Sequence, residues 1–180
     1  MLRWALIFLL TAVFSAGIAA ADKGAPLLSP VPAEHASPPE LALSNLIGEQ
    51  RTLYDFAGRV LLVNFWATWC PPCVKELSSM QMLRNRLADQ PFEVIAVNVG
   101  EDAQQVKKFL NRLDAGLHYP ILLDENMVVT KKWKVRALPT TYVIDAQGQA
   151  RYIATGERDF DAPELVSMIR ALFRSELSDG

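Results

Sequence analysis

Two nearly continuous runs of apolar residues predict the centre of the fold. Residues 60–66 and 92–99 each have the length of a strand and contain few polar side chains. Runs of this kind are typical of parallel strands that are buried on both faces of a sheet. Each run is followed by apolar residues three and four positions apart, which is the spacing of one helix face. These residues are Leu77, Met80, Leu83 and Leu87 in the first predicted helix, and Val106, Phe109, Leu110 and Leu113 in the second.

Shorter elements flank this centre on both sides. A turn at residues 47–50 between apolar positions predicts a short hairpin before the first run. A short strand at residues 121–123 and a short helix at residues 127–133 follow the second predicted helix. A glycine turn at residues 145–148 predicts another hairpin, and residues 165–173 have the apolar spacing of a closing helix. This order predicts an α/β fold: a central mixed sheet, helices on both of its faces and an N-terminal β-hairpin extension.

The N-terminus has the pattern of a targeting segment. Arg3 precedes a long apolar stretch, and the alanines that end at Ala21 offer a cleavage site of the A-x-A kind. The pattern predicts a signal peptide over residues 1–21. An uncleaved anchor formed by residues 4–21 is the alternative, because the stretch approaches the ~20 residues that span a bilayer. In either case the domain is exported, to the periplasm, where disulfides form and persist.

The rest of the chain has room for a linker and one domain. Residues 22–39 contain five prolines, a composition that predicts an extended, poorly packed linker, and residues 40–176 are expected to form the domain. Hydrophobic residues make up 51% of the 180 residues, enough for a core that needs no metal or disulfide. The 18 basic and 20 acidic residues give a formal charge of −2 without a basic stripe, so nucleic acid is not an expected partner.

Both cysteines of the chain lie in one tetrapeptide, Cys70-Pro71-Pro72-Cys73. A structural disulfide of this kind would close a very short loop and remove little chain entropy. A structural zinc site needs four ligands, and His35 and the chain's other histidine have no metal-ligand spacing. The pair is therefore interpreted as a redox centre, with no metal and no cofactor.

The position of the pair assigns different roles to the two thiols. A strand that leads directly into a helix places Cys70 at the helix N-terminus, where the helix dipole favours a thiolate. Cys70 is thus predicted to be the exposed, attacking thiol, and Cys73, one turn later, to resolve the mixed disulfide. Pro71 and Pro72 supply neither an N–H donor nor a charge to the thiolate, so a reducing couple is expected.

Two further positions are candidates for the site. Glu76 follows Cys73 by three residues and shares its helix face, so it is either a proton-exchanging acid or an ordinary first-turn glutamate. Leu138-Pro139 precedes a predicted strand, and on the residues alone Pro139 can be an ordinary trans proline. Trp69 beside the cysteines can simply be a packing residue.

The run from Phe65 to Cys73 resembles the active site of thioredoxin-fold proteins, specifically their exported TlpA/ResA-like branch. The similarity extends over about residues 40–175 and includes the segments 97–101 and 138–141. It implies a thioredoxin-like fold and a cis peptide before Pro139. It also implies an acid at Glu76 that exchanges protons, since Asn64 stands where thioredoxin has a buried aspartate.

The same resemblance implies a function and partners. The family reduces disulfides in exported proteins, often apocytochrome c, with electrons from a membrane reductase of the DsbD/CcdA type. On this basis Cys70, Cys73 and Glu76 are the expected catalytic residues. Residues expected to contact the substrate are Trp69, Pro71, Pro72, Leu138 and Pro139.

Two other functions are weighed against a reductase. Thiol peroxidases share the fold and the hairpin, but the chain lacks their Pro-x-x-x-Thr-x-x-Cys pattern and has a C-x-x-C after tryptophan instead. A Cu(I) metallochaperone could bind its metal with the two soft thiolates. The local sequence offers no methionine or histidine as a further ligand.

Overall fold

The computed structural model describes residues 27–113 and 115–175. The predicted signal peptide or anchor lies outside the described residues. Strands and helices alternate along most of the chain, as the apolar pattern predicts. The strands are β1 (Ser29–Pro30), β2 (Ala42–Asn45), β3 (Gln50–Thr52), β4 (Val60–Trp66), β5 (Phe92–Val99), β6 (Ile121–Asp124), β7 (Thr140–Ile144) and β8 (Ala150–Thr155). The helices are α1 (Pro71–Arg86), α2 (Ala103–Leu113), α3 (Val128–Lys132) and α4 (Pro163–Ser175), with short 3₁₀ helices at Ala33–His35 and Leu53–Phe56.

The strands form one mixed sheet in the order β1-β8-β7-β4-β5-β6-β2-β3. The three central strands β4, β5 and β6 are parallel, and the others pair antiparallel to their neighbours. The hairpin of β2 and β3 extends the sheet beyond β6, which confirms the predicted N-terminal extension. The carboxyl ends of β4, β5 and β6 therefore meet at one edge, and Cys70 follows β4 at that edge.

Apolar side chains cover both faces of the sheet. One cluster lies under α1, α2 and α4 and includes Leu77, Val106 and Ile169. The other lies under α3 and includes Val129 and Trp133. Every residue of β4 and β5 is buried, which is why these two strands appear in the sequence as continuous apolar runs.

The segment expected to be a poorly packed linker is in part ordered against the domain. Ser29 and Pro30 pair with β8, and Leu28 is buried in the first apolar cluster. The expectation of poor packing is therefore wrong for this part of the chain. Prolines predict an extended backbone, but an extended backbone can also join a sheet edge through its remaining carbonyl groups. None of the helices within residues 27–113 and 115–175 combines the length and the apolar composition of a membrane-spanning segment.

Candidate active site

The two cysteines lie where β4 passes into α1. Cys70 is the N-cap residue of the helix, and Cys73 lies within its first turn. Their sulfurs form a disulfide, and their Cα atoms are 5.3 Å apart. Cys70 is only 4% exposed and Cys73 is fully buried, so the expectation of an exposed Cys70 is wrong for this disulfide-bonded state. Both cysteines belong to the apolar cluster under α1, while the preceding Trp69 is 65% exposed.

The first turn of α1 offers the sulfurs few hydrogen-bond donors. Pro71 and Pro72 occupy its first two positions and carry no N–H. The N–H of Cys70 donates to the carbonyl of Ala67 (3.2 Å), and the N–H of Val74 donates to the carbonyl of Cys70 (3.1 Å). A helix N-terminus normally stabilises a thiolate through its free amides. In α1 the first two helical positions lack such amides.

Glu76 is a buried acid and is only 1% exposed. One carboxylate oxygen accepts a hydrogen bond from the side-chain amide of Asn64 (2.6 Å), and the other accepts from the backbone N–H of Arg158 (3.1 Å). Burial raises the pKa of Glu76 from 4.5 to about 7, although both hydrogen bonds oppose this rise. The group can therefore gain or lose a proton near neutral pH.

Asn64 connects this acid to the neighbouring strand. Its Nδ2 donates to Glu76 and also to the hydroxyl of Thr141 (2.9 Å), which lies directly opposite on β7. Its buried Oδ1 finds no hydrogen-bond partner in the part of the chain that the structure describes. If the side-chain amide turns by 180°, its carbonyl oxygen takes the place of its NH2 group and faces Glu76 as an acceptor. Asn64 is thus able to bond Glu76 in either protonation state.

Tyr119 is a neighbour of Glu76 that the sequence did not single out. Its hydroxyl donates to the carbonyl of Leu77 (3.0 Å), one residue after Glu76 on α1. Burial is the main cause that raises the pKa of Tyr119, and the negative charge of Glu76 adds to it. Tyr119 therefore stays protonated and remains a donor.

A second buried carboxylate, Glu101, holds the loop that precedes the cysteines. It is 2% exposed and accepts hydrogen bonds from the backbone N–H of Thr68 (2.7 Å), from the hydroxyl of Thr68, and from the side-chain amide of Asn98 (2.8 Å). Thr68 is adjacent to Trp69, so Glu101 fixes the backbone that leads to Cys70. One signal in the sequence could have indicated it, namely an acid just after a buried strand at the edge where Cys70 lies.

Replacing Glu101 with glutamine should loosen this loop. A glutamine side chain has one acceptor oxygen for three donors, so at least one buried donor loses its partner. We expect the free energy of unfolding to fall by about 1–3 kcal/mol and the rate of disulfide reduction to fall with it. Denaturant unfolding and a reduction assay measure both effects. The exposed Glu40→Gln variant, which removes the same charge, should match the wild type; an equal loss in Glu40→Gln would contradict this role of Glu101.

The peptide bond between Leu138 and Pro139 is cis, which confirms the expectation from the resemblance. Pro139 immediately precedes β7, whose first residue Thr140 pairs with Phe65 of β4. This register places the loop at the same edge of the sheet as Cys70. Leu138 packs against both apolar clusters, one of which contains the cysteines. Contact of this loop with a substrate remains a prediction, as it does for Trp69 and the two prolines of the motif.

No group of three or more histidine, cysteine, aspartate or glutamate side chains that could hold a metal ion occurs within residues 27–113 and 115–175. The redox pair itself is present as a bonded disulfide.

Comparisons with known proteins show the family and the fold of the chain. Residues 25–169 match the family model described as Redoxin. The thiol-disulfide oxidoreductase ResA of Geobacillus kaustophilus is 40% identical over 118 residues, which cover 66% of this chain and 67% of that protein. ResA of Geobacillus thermodenitrificans is 41% identical over 118 residues, with the same coverage of both chains. A crystal structure of a thioredoxin-family thiol:disulfide interchange protein from Chlorobium tepidum aligns with a TM-score of 0.63 at 27% identity, covering 78% of this chain and 97% of that one. The fold is thioredoxin-like, as expected.

Proposed function

Because the chain belongs to the Redoxin family, within its TlpA/ResA-like branch of thiol–disulfide oxidoreductases, we propose that it is an exported reductase of protein disulfides. The observation that carries the direction of the reaction is the first turn of α1. Pro71 and Pro72 leave it few amide donors for a thiolate, so the reduced dithiol gains little stabilisation and gives up its electrons readily.

The reaction takes two steps. The thiolate of Cys70 attacks one sulfur of the client disulfide, which forms a mixed disulfide and releases the first client thiolate. The thiolate of Cys73 then attacks the sulfur of Cys70 and releases the second one. The client gains two electrons and two protons, and Cys70 and Cys73 are left as a disulfide.

We assign Glu76 the role of accepting the proton of Cys73 before the second step. The acid lies on the same face of α1, three residues after Cys73, and its pKa of about 7 suits proton transfer near neutral pH. Asn64 holds the carboxylate in place through its side-chain amide (2.6 Å). The loop at cis-Pro139 and the exposed Trp69 are proposed to bind the client backbone on either side of the disulfide.

The proposed setting follows from the resemblance and from the N-terminal pattern. Residues 1–21 act as a signal peptide or anchor, and residues 40–176 work in the periplasm. A membrane reductase of the DsbD/CcdA type returns Cys70 and Cys73 to the dithiol. Exported proteins with disulfides, apocytochrome c among them, are the proposed clients.

A single-turnover experiment tests this function. The reduced protein is mixed with insulin, and the client thiols are counted as the Cys70–Cys73 disulfide forms. We expect two client thiols for each protein molecule oxidised. If the oxidised protein instead forms disulfides in reduced, unfolded clients faster than the reduced protein removes them, the proposed direction is wrong.

A further inference from the structure

Four exposed cations cluster in the segment that leads from α3 to the cis-proline loop: Lys131, Lys132, Lys134 and Arg136. None of the four forms an ion pair within residues 27–113 and 115–175, where the ion pairs involve other side chains. Three acidic side chains lie near the cluster. The buried Asp124 accepts hydrogen bonds from the backbone N–H and the hydroxyl of Thr130, which precedes Lys131. Glu34 lines a cavity of about 220 Å³ together with Lys132 and Lys134, and the exposed Glu125 precedes α3. The four cations still outnumber these three acids, in a chain whose formal charge is −2.

This segment borders the redox site at both of its ends. At one end, two atoms of the Met127 side chain lie 3.7 Å from the position that a Cβ on Gly100 would occupy. Gly100 precedes Glu101, which holds the active-site loop through Thr68. At the other end, Arg136 is separated from the cis bond at Pro139 by only two residues.

Exposed apolar side chains continue the surface at its N-terminal end, beside Gly100. Met127 is 42% exposed and Val128 is 52% exposed. Met127 has a φ of 56°, in the left-handed region that favours glycine, and yet it carries a large side chain that solvent reaches. Non-glycine residues in this backbone region are concentrated at functional sites.

We propose that these six residues, Met127, Val128, Lys131, Lys132, Lys134 and Arg136, form a docking surface, here called the α3 surface. It favours client polypeptides with acidic residues near the disulfide and an apolar residue that packs on Met127 and Val128. This inference rests on the proposed reductase function. A polypeptide is the favoured occupant because the surface ends at the active-site loop and at the cis-proline loop, and a chain that follows it is led to Cys70. An anionic membrane on the same surface would lie over the disulfide and obstruct its clients.

Two synthetic peptides provide the test. Each contains one disulfide and one leucine, and the residues around the disulfide are glutamates in one peptide and lysines in the other. We expect the reduced wild-type protein to react about tenfold faster with the acidic peptide at low ionic strength, because charge complementarity raises association rates. Added salt should reduce this preference, since it screens exposed charges.

A pair of matched variants locates the effect. The triple variant Lys131→Gln/Lys132→Gln/Lys134→Gln should react with both peptides at similar rates. The control Lys107→Gln/Lys108→Gln/Arg112→Gln removes the same charge from the exposed face of α2, which covers the opposite face of the sheet, and should keep the preference. Equal losses in both variants would mean that only net charge matters and would overturn the proposal.

Met127→Gly tests the apolar part of the surface. Glycine suits the backbone at this position, so thermal stability should be kept, while the rate with the acidic peptide should fall several-fold. An unchanged rate overturns this part of the proposal.

A third peptide with uncharged flanks and binding to lipid vesicles separate the remaining outcomes. The wild type, the triple variant and the α2 control should reduce the uncharged peptide at the same rate. If none of them reduces it, the proposed reductase function is wrong. Vesicles of phosphatidylglycerol and phosphatidylcholine should bind the wild type and the triple variant equally. If the triple variant loses vesicle binding but keeps its peptide preference, the α3 surface is a membrane contact and the proposal is wrong.

Discussion

A Cys73→Ala variant should lose turnover and accumulate mixed disulfides between Cys70 and its clients. Cys70 is still able to attack, but the sulfur that displaces the client is gone. Cys73 lies fully buried one turn after Cys70, so no solvent thiol easily takes its place. Insulin reduction should fall to the rate of the uncatalysed thiol exchange. Mass spectrometry of the trapped complexes, isolated without reductant, then identifies the clients.

The matched variant Cys70→Ala should neither turn over nor trap a client. Both variants should keep the fold, because alanine, like the cysteine it replaces, is a small apolar residue that suits a packed cluster. If Cys70→Ala traps clients and Cys73→Ala does not, the roles assigned to the two thiols are reversed.

A Glu76→Gln variant should slow the reaction by roughly 10²-fold, the lower range for loss of a general acid or base. Glutamine keeps the shape of the side chain and its bond to Asn64, but it cannot take up a proton from Cys73. In the wild type the rate should change near pH 7, where Glu76, whose pKa burial raises to about 7, changes its protonation. The variant should lose this dependence. If its pH–rate profile overlays that of the wild type, the proton reaches solvent by another route.

The same substitution should change stability in a way that depends on pH. The unfolded chain loses the proton of Glu76 near pH 4.5, whereas the folded protein keeps it up to about pH 7. The folded state is therefore favoured most below pH 4.5, and stability falls as the pH rises from 4.5 to about 7. Over this range the free energy of unfolding falls by about 3 kcal/mol, since each pKa unit corresponds to ~1.4 kcal/mol. Glu76→Gln avoids this loss.

Unfolding measured across pH 4–8 checks this expectation. Glu76→Gln should become more stable relative to the wild type as the pH rises from 4.5 to about 7. Above pH 7 the difference in stability should stay constant. Glu40→Gln, at an exposed position, should follow the wild type throughout. A constant difference between Glu76→Gln and the wild type at all pH values would show that the buried acid does not titrate in this range.

The central strands and the redox pair could be predicted because their signals are local. The residues of β4 and β5 are buried on both faces, so burial leaves a continuous apolar run in the sequence. Cys70 and Cys73 are close in sequence, and a strand before them and a helix after them set their geometry. Only the resemblance predicted the cis bond at Pro139, since the residues alone favour trans.

The environment of the acids could not be predicted because it joins distant parts of the chain. The bond between Glu76 and the N–H of Arg158 spans 82 residues, and the bonds between Glu101 and Thr68 span 33. Such contacts depend on how strands align at one edge of the sheet, which local patterns do not specify. The burial of Cys70 was missed for a related reason: a helix N-terminus is normally open to solvent, but here it is packed into the apolar cluster.

The reduction potential of the Cys70–Cys73 couple decides whether the protein works as a reductase. The protein is equilibrated with glutathione buffers of defined ratio, and the oxidised fraction is measured after acid quenching and alkylation. Two prolines in the first turn of α1 withhold amide donors from the thiolate, so a reducing value is expected. We expect a potential near the roughly −270 mV of thioredoxin. A potential above about −180 mV, toward that of a strong oxidant, would contradict it.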